Sequence, residues 1–294
     1  MIKGIAMSMS IRPINQDDAE ICGKIGFEAH RTISSTHGYP SEQPSAEFAI
    51  GLIRMLLGNP NSWGTLVERD NEILGSIFLH VFPPSQVAAI GPLTVHPSAE
   101  GGVGRALMDA ALDEAKKRKY EQVRLVQSPS HTRSFVLYTK TGFSLREPLF
   151  LMQGAALAGR NPQKGYNVRS ASNDDIERCN ELCASVHGFV RDMELRQAIA
   201  QGVGAVVERD GKITGYSAGI GLLCHSVART NEDLMALIGN APVILGPGFL
   251  VPGRNHDLLT WLLHSGFRIG WPANLMSVGK YQEPMSPFLP SLAY

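Results

Sequence analysis

Four blocks of residues occur twice in this 294-residue chain, in the same order. Ile11-Arg12, Asp17-Asp18 and Cys22 recur as Val168-Arg169, Asp174-Asp175 and Cys179, and His30 falls on His187, all at a shift of 157. Val67-Glu68-Arg69-Asp70, Ile73 and Gly75 recur as Val207-Glu208-Arg209-Asp210, Ile213 and Gly215, at a shift of 140. Leu125-Val126 and His131 recur as Leu250-Val251 and His256. Gly142-Phe143, Pro148 and Leu151-Met152 recur as Gly266-Phe267, Pro272 and Leu275-Met276. Repetition in order constrains a chain more than composition does, because each repeat must build the same unit. Two copies of one fold are expected, residues 1–157 and 165–294. They divide near 155–165, where Gly159, Asn161, Pro162 and Gly165 supply linker chemistry.

The hydrophobic periodicities make each copy mixed α/β. Ile11–Ile14 reads as a strand, and Asp17 offers a cap oxygen to a helix running to about Ser34. Ser45 opens a second helix that ends at Gly58-Asn59-Pro60. Trp63–Glu68, Ile73–Val81 and Val87–Val95 form a meander with its first turn at Asp70-Asn71. Val103–Lys119 is a helix, Val123–Val126 a strand, and His131–Lys140 a helix stopped by Gly142. Phe143–Leu145 and Leu149–Met152 are expected as a closing hairpin around Pro148. The order is β-α-α-β-β-β-α-β-α-β-β.

Charge excludes some partners. Lys+Arg and Asp+Glu both count 27. Divided near residue 160, the halves carry 16 basic against 15 acidic residues and 11 against 12, so neither has a nucleic-acid binder's basic excess. No apolar run approaches the roughly 18 residues of a membrane span. Met1–Ser10 has one lysine and no long apolar stretch, unlike a secretory signal. Cys179 and Cys183 lie one helical turn apart without a CxxC, so the four cysteines read as reduced core thiols of a cytoplasmic protein. The nine histidines show no HxH or HExxH spacing, so no metal site is expected.

The stretch that carries chemistry runs from Leu93-Thr94-Val95 through His96-Pro97-Ser98-Ala99-Glu100 to Gly101-Gly102-Val103-Gly104-Arg105-Ala106-Leu107. A strand ends, a glycine-rich loop follows, and a helix starts inside the glycines. Bare glycine N–H groups and the helix N-terminus together suit a phosphate. A Walker loop would need Gly-Lys-Ser/Thr where Gly104-Arg105-Ala106 stands. A Rossmann turn would place its glycines directly after the strand, whereas six residues separate Val95 from Gly102. An acyl-CoA pyrophosphate loop is the third class.

On these residues the sequence resembles the GCN5-related N-acetyltransferase (GNAT) superfamily. That family reads Leu-x-Val-x-Pro, then Gln/Arg-x-x-Gly-x-Gly/Ala and a helix, and later Leu-Tyr-x-Lys-x-Gly-Phe. Leu93, Val95, Pro97, Gly102, Gly104 and Leu107 fit the first part, and Leu137-Tyr138-Thr139-Lys140-Thr141-Gly142-Phe143 fits the second in full. The resemblance covers residues 11–153 and, through the repeat, 168–279. Ala99 replaces the usual Gln or Arg, the loop is about one residue short, and His131 stands where Asn often starts the helix. The resemblance implies acetyl-CoA as cosubstrate, held by the backbone of Leu93–Val95 and of Gly101–Ala106 (Gly101, Gly102, Val103, Gly104, Arg105, Ala106), with His131 and Arg133 beside it. It also implies transfer to a primary amine, with Tyr138 protonating the leaving thiolate. A non-catalytic acyl-CoA-binding module is the alternative.

The second copy lacks the glycine loop. A short helix, Asn231–Ile238, follows its meander, and Leu262 or Leu263 takes the Tyr138 position. Gly219-Ile220-Gly221 reads as a strand bulge or close packing. In the first copy Val87–Val95 carries no acid to serve as base. His80 and His96 are candidates, beside a water relay or an amine already neutral. Glu100 is expected to face solvent, away from phosphate. Arg105 and Arg133 are either phosphate ligands or solvated arginines. Lys116-Lys117-Arg118-Lys119 complements its helix dipole. His131 and His256, at equivalent helix starts, read as capping residues. No carboxylate-binding arginine pair stands out, and His37–Pro44 shapes the acceptor pocket. A monomer or homodimer is expected, the second copy covering a sheet edge of the first as a subunit would.

Overall fold

The computed structural model describes residues 9–38, 43–99, 101–159 and 165–293. Glu100, Asn161, Pro162 and part of the His37–Pro44 stretch lie outside them. The chain divides into two compact units. The first holds residues 1–81, 88–123 and 130–143, and the second 82–87, 124–129 and 144–294.

In the first unit β1 (Ser10–Pro13), β2 (Ser62–Arg69), β3 (Glu72–Val81) and β4 (Val87–Val95) pair antiparallel in that order. The entry to α1 (Ala19–His37) is built by side chains. Asn15, rather than Asp17, supplies the cap oxygen, accepting from the Asp17 N–H at 2.9 Å. Asp18 reaches back to accept from the Asn15 N–H at 2.9 Å while Arg12 holds its carboxylate at 2.7 and 2.8 Å. The acidic pair thus closes a single tight turn before the α-helix begins, which moves the start to Ala19. Ser45 caps α2 (Ala46–Gly58) through the Phe48 N–H. A Cβ on Gly23 would sit 2.6 Å from the Ile50 Cα, so only glycine permits this approach of α1 to α2. These two helices bury Cys22, Ile53 and Leu56 against Ile14, Leu66 and Phe78. In α3 (Val103–Lys117) the buried face is Leu107, Met108, Ala111 and Ala115. The last helix of the unit, α4 (Thr132–Lys140), ends before Gly142, at φ 96°.

The second unit repeats the opening in atomic detail. Its β7 (Asn167–Ser170), β8 (Ala205–Arg209), β9 (Lys212–Ser217), β10 (Ser226–Ala228) and β13 (Phe288–Leu289) lie in the order β13-β10-β9-β8-β7. Arg169 holds Asp175 at 2.7 Å and Glu208 at 2.7 Å, as Arg12 holds Asp18 at 2.7 Å and Glu68 at 2.9 Å. Arg169 pairs with Val206 and Arg12 with Leu66, and a bulge falls between Val207 and Glu208 as between Val67 and Glu68. Both hairpin turns have two left-handed residues, Asp70-Asn71 (φ 52° and 65°) and Asp210-Gly211 (φ 50° and 71°). Helices α5 (Ile176–His187) and α6 (Asp192–Ala200) follow β7, and α7 (Asn231–Asn240) follows β10.

The expected closing hairpin is absent. Instead β6 (Ser144–Gln153) is one strand, and so is its counterpart β12 (Arg268–Gly279). They pair antiparallel with each other, within the second unit, in a row β5-β12-β6-β11, where β5 is Gln122–Gln127 and β11 is Phe249–Pro252. Each closing strand therefore lies against a strand of the other copy. The ladder has two bulges. Arg146 is the extra residue on β6 between Leu275↔Glu147 and Met276↔Leu145, and the other bulge lies on β12 between Ile269 and Pro272. Pro148 and Pro272 sit beside these bulges, where a missing N–H is tolerated. The last helix, α8 (His256–His264), leads into β12. No helix of the described residues is long and apolar enough to cross a membrane.

Candidate functional site

The glycine loop closes onto α3 in the first unit. Gly102, at φ 102°, occupies the cap position, and no side chain caps the helix there. The first helical bond runs from the Ala106 N–H to the Gly102 carbonyl at 2.9 Å. The N–H groups of Val103, Gly104 and Arg105 therefore precede the helical ladder and carry the positive end of its dipole. Among the described residues a Cβ on Gly101 would meet nothing within 4 Å, and one on Gly102 only Met9 Cε at 3.5 Å, so no backbone or core group of those residues closes over this cradle. Gly104 has a different reason. A Cβ there would lie 3.2 Å from Leu137 Cδ2 and 3.7 Å from Val95 Cγ2, so this glycine lets α4 and β4 close on α3. The cradle suits a pyrophosphate.

Alternation along β4 sends its side chains to opposite faces. Thr94 is buried, its Cγ2 3.5 Å from where a Gly26 Cβ would be, and its hydroxyl lies 3.3 Å from Ser76 Oγ. Val95 points to Gly104, and Leu93 pairs with Ile77. The strand bulges just before these residues, because Gly91-Pro92 fall between the pairs Leu79↔Ile90 and Ile77↔Leu93. Sequence reasoning missed this bulge, although Gly-Pro inside a strand is its signal.

The ring of Tyr138, on α4, packs 6.1 Å from that of Phe143. Burial pushes its phenol up to about 12. It stays protonated at neutral pH, a hydrogen-bond donor in a dry setting. His80 is no free base. Its Nε2 donates to the Gly91 carbonyl, so Nδ1 accepts from Ser62 Oγ at 2.9 Å, and burial lowers its pKa. In His96, Nδ1 accepts from the Ser98 N–H at 3.2 Å, and Nε2 lies 3.6 Å from Glu28. Arg105 lies along its own helix at 2.8 Å from Asp109 and reaches the Lys140 carbonyl at 3.4 Å. Arg133 is exposed on the first turn of α4. Lys117 and Arg118 contact Glu114 at 3.8 and 2.6 Å at the end of α3.

His131 occupies the cap position of α4, but its side chain does not cap the helix. Burial, then Arg133, lowers its pKa. Its structural counterpart is Asn255, which caps α8 through the Leu258 N–H, and His256 is the first residue within that helix. The one-residue gap thus falls before the helix, and Tyr138 corresponds to Leu262. Both accept at their carbonyls from the Phe N–H five residues on, at 3.0 Å.

In the second unit the counterpart of the cradle is filled. Thr230 caps α7, and Asp233, fully buried, accepts from the Thr230 N–H at 3.1 Å and from the Thr214 hydroxyl at 2.6 Å. Arg209 lies 3.1 Å from the same carboxylate. A carboxylate thus occupies the helix start where a phosphate would need donors. Gly219–Gly221 follows β9 rather than lying inside it. A Cβ on Gly221 would meet the Leu245 carbonyl oxygen at 2.5 Å, so close packing explains that glycine. Cys22, Cys179 and Cys183 are buried free thiols, pushed up to about 11, 12 and 11 by burial.

Residues 27–143 match the model of the acetyltransferase (GNAT) family. A mycothiol acetyltransferase of Beutenbergia cavernae is 36% identical over 83 residues, a match spanning 28% of this chain and 28% of that protein. A putative acetyltransferase from Pyrococcus horikoshii has a similar solved structure, with TM-score 0.70 at 16% identity over 99% of this chain and 97% of the other. A tandem GNAT protein from the clavulanic acid biosynthesis pathway superposes with TM-score 0.50 at 15% identity, over 92% and 98% of the two chains. These structural likenesses show the fold. The family match covers residues 27–143, and the mycothiol acetyltransferase match spans about a quarter of either chain.

Proposed function

We propose that this protein is an acetyl-CoA-dependent N-acetyltransferase of the GNAT superfamily, acting on a primary amine of a small molecule or peptide. The observation that carries the reading is the bare N-terminus of α3 behind its glycine loop, set against the plugged N-terminus of α7. Residues 1–157 would be the catalytic copy and 165–294 a copy without a cofactor site. Backbone N–H groups of Gly101–Arg105 would hold the pyrophosphate, that of Ala106 being bonded to the Gly102 carbonyl, with Leu93, Thr94 and Val95 along the pantetheine and His131 and Arg133 beside it. Acetyl-CoA supplies a thioester, whose carbonyl carbon an amine can attack.

Holding amine and thioester together supplies much of the rate. The β4 N–H groups near Leu93 and Val95 would polarise the carbonyl. As the C–S bond breaks, Tyr138 would donate its phenolic hydrogen toward the departing sulfur. A phenol near 12 is a weak acid, so it acts mainly as a hydrogen-bond donor to the developing thiolate. The amine proton leaves through water, or the amine arrives neutral, because the nitrogens of His80 are both engaged.

That engagement, with no acid on β4, also favours the second reading, a non-catalytic acyl-CoA binder. Calorimetric titration with acetyl-CoA followed by mass spectrometry of an amine panel separates them. The transferase reading expects one cofactor per chain and an acetylated amine. Binding without any acetylated product leaves the binder, and no binding removes both.

A further inference from the structure

In the second unit the segment after β12 takes a place that the first copy keeps for something else. Strand register identifies the place. Gly75 pairs with Val95 on β4, and its repeat Gly215 pairs with Ala228 on β10, so Ala228 is the counterpart of Val95. By the same register Ser226 is the counterpart of Leu93. Strand β10 therefore repeats the strand proposed above to run along the pantetheine. Its outer edge is taken by β13, which pairs with it antiparallel, Val227 opposite Phe288 and Ser226 opposite Leu289, and which also packs against β11. The Ala228 N–H donates to the Pro287 carbonyl at 3.0 Å. Its counterpart, the Val95 N–H, is one of the groups assigned above to the thioester.

Alternation sends the two apolar side chains of β13 to opposite walls. Phe288 is buried and meets the ring of His187 edge-on, with centroids 4.9 Å apart. Leu289, also buried, joins Phe249 and Val251 of β11 in one core. Before the strand the Met285 N–H donates to the Val186 carbonyl at 3.1 Å, and after it the Leu292 N–H donates to the Leu222 carbonyl at 2.8 Å. Main-chain bonds to a strand edge, with alternate side chains in pockets, are the way a sheet receives a peptide. The attachment is short. Its ladder has two pairs, and Pro287 and Pro290 carry no N–H to extend it. The approach to it is exposed, Met285 at 75%. Met285 and Ser286 border a cavity of about 320 Å³ at the starts of α7 and α8, lined also by Asn231, Asn255 and His256.

We propose that the second copy binds an extended peptide along the strand that its twin uses for acyl-CoA, and that residues 286–292 are its resident, exchangeable ligand. The ligand class is an extended segment with an aromatic and an aliphatic side chain at adjacent positions, flanked by prolines. The prolines preset an extended backbone and so lower the entropy lost on docking. Asp233 and this segment close the copy to a cofactor at two points, one at the helix start and one along the strand. The comparison with β4 rests on the acyl-CoA reading; peptide binding at β10 does not, and titrations with acetyl-CoA and with peptide read the two apart.

A specific-protease site introduced after Glu283 lets the folded full chain be cut, leaving residues 286–294 held without a covalent link. A labelled synthetic peptide of residues 286–294 is the probe, followed by fluorescence anisotropy. The cut chain should exchange its own fragment for the probe. The uncut chain, whose segment competes at the high effective concentration of a tether, should bind the probe at least about 100-fold more weakly. A probe carrying Phe288→Ala and Leu289→Ala should also bind at least about 100-fold more weakly, because both buried side chains are lost. The uncut chain with Leu289→Asp should release its segment, since a carboxylate is costly beside Phe249 and Val251, and take up the unaltered probe. Equal binding by cut and uncut chains, equal binding of the altered probe, or a fragment retained in excess probe overturns the proposal. So does unfolding of both the cut chain and the Leu289→Asp chain that added probe fails to reverse, since the segment is then core rather than ligand.

Discussion

The helix starts of α3 and α7 occupy the same place in two copies of one fold and have opposite chemistry. At α3 the cap is a glycine and three N–H groups precede the helical ladder. At α7 the cap is Thr230, whose hydroxyl accepts from the Asp233 N–H at 3.3 Å, and the buried Asp233 carboxylate accepts from the Thr230 N–H and Thr214 and pairs with Arg209. A helix N-terminus must satisfy its donors somewhere. Where side chains do so internally, the helix is stabilised and a ligand is excluded. Where glycines leave them bare, stability is given up for binding. One position in the fold is thus either capped by side chains or left bare, and the residues of the first turn decide which.

The comparison is broken most directly by altering the bare end. Gly102→Val places a branched side chain at φ 102°, and Gly104→Val drives one into Leu137, so acetyl-CoA binding should fall at least roughly 100-fold in each. Calorimetry checks this, with far-UV circular dichroism to establish that the chain is folded; unaltered affinity would remove the pyrophosphate assignment. Binding of two cofactors per chain would erase the distinction between the copies. Next in size, Tyr138→Phe should lower turnover roughly 10- to 1,000-fold with acetyl-CoA affinity nearly constant, whereas Leu262→Ala in the other copy should affect only stability.

The plugged end sharpens the contrast. Asp233→Ala should cost about 3 kcal/mol in urea unfolding, because Arg209 loses its partner and the cap is lost, yet it should create no cofactor site. The smallest effect is in pH dependence. His187 and His225 in the second unit are fully buried and neutral, lowered by burial and then by Arg124 or Arg191. Their unfolded values lie near 6.5. Below that pH the unfolded chain takes up protons that the fold refuses. Stability should therefore be constant above about pH 6.5 and fall below it, by up to ~1.4 kcal/mol per pH unit for each histidine. Unfolding series between pH 5 and 8 on His187→Gln should show a shallower slope. Replacement of the half-buried counterpart His30 serves as the control.

What could be read from the sequence was local. The hairpin Val-Glu-Arg-Asp, the glycine loop and the Gly142 helix stop each follow from turn chemistry within a few residues, and all three are in place. The cap at Asn15 escaped because Asn15, Asp17 and Asp18 can all cap, and only the ion pair from Arg12 selects Asp18 as the reciprocal partner. The closing hairpin was misread because Pro148 suggests a turn, whereas the bulge beside it lets a proline lie within a strand. Pairing of β6 with β12, and of Arg124 and Arg146 on Tyr281, joins residues distant in the chain, and no periodicity records such contacts.

The ladder of β6 with β12 is its own mirror. Ser144 faces Ser277 and Gln153 faces Arg268, while Ser144 and Arg268 are 124 residues apart, as are Gln153 and Ser277. Two identical strands from separate molecules could pair in this register about a two-fold axis. In such an assembly every substitution appears twice, so a gain on one side of the axis is tied to its cost on the other. Joined in one polypeptide, the strands meet at an effective concentration set by the tether rather than by abundance. Each side is also written by its own codons, so arginine can stand on one bulge while its twin remains glycine.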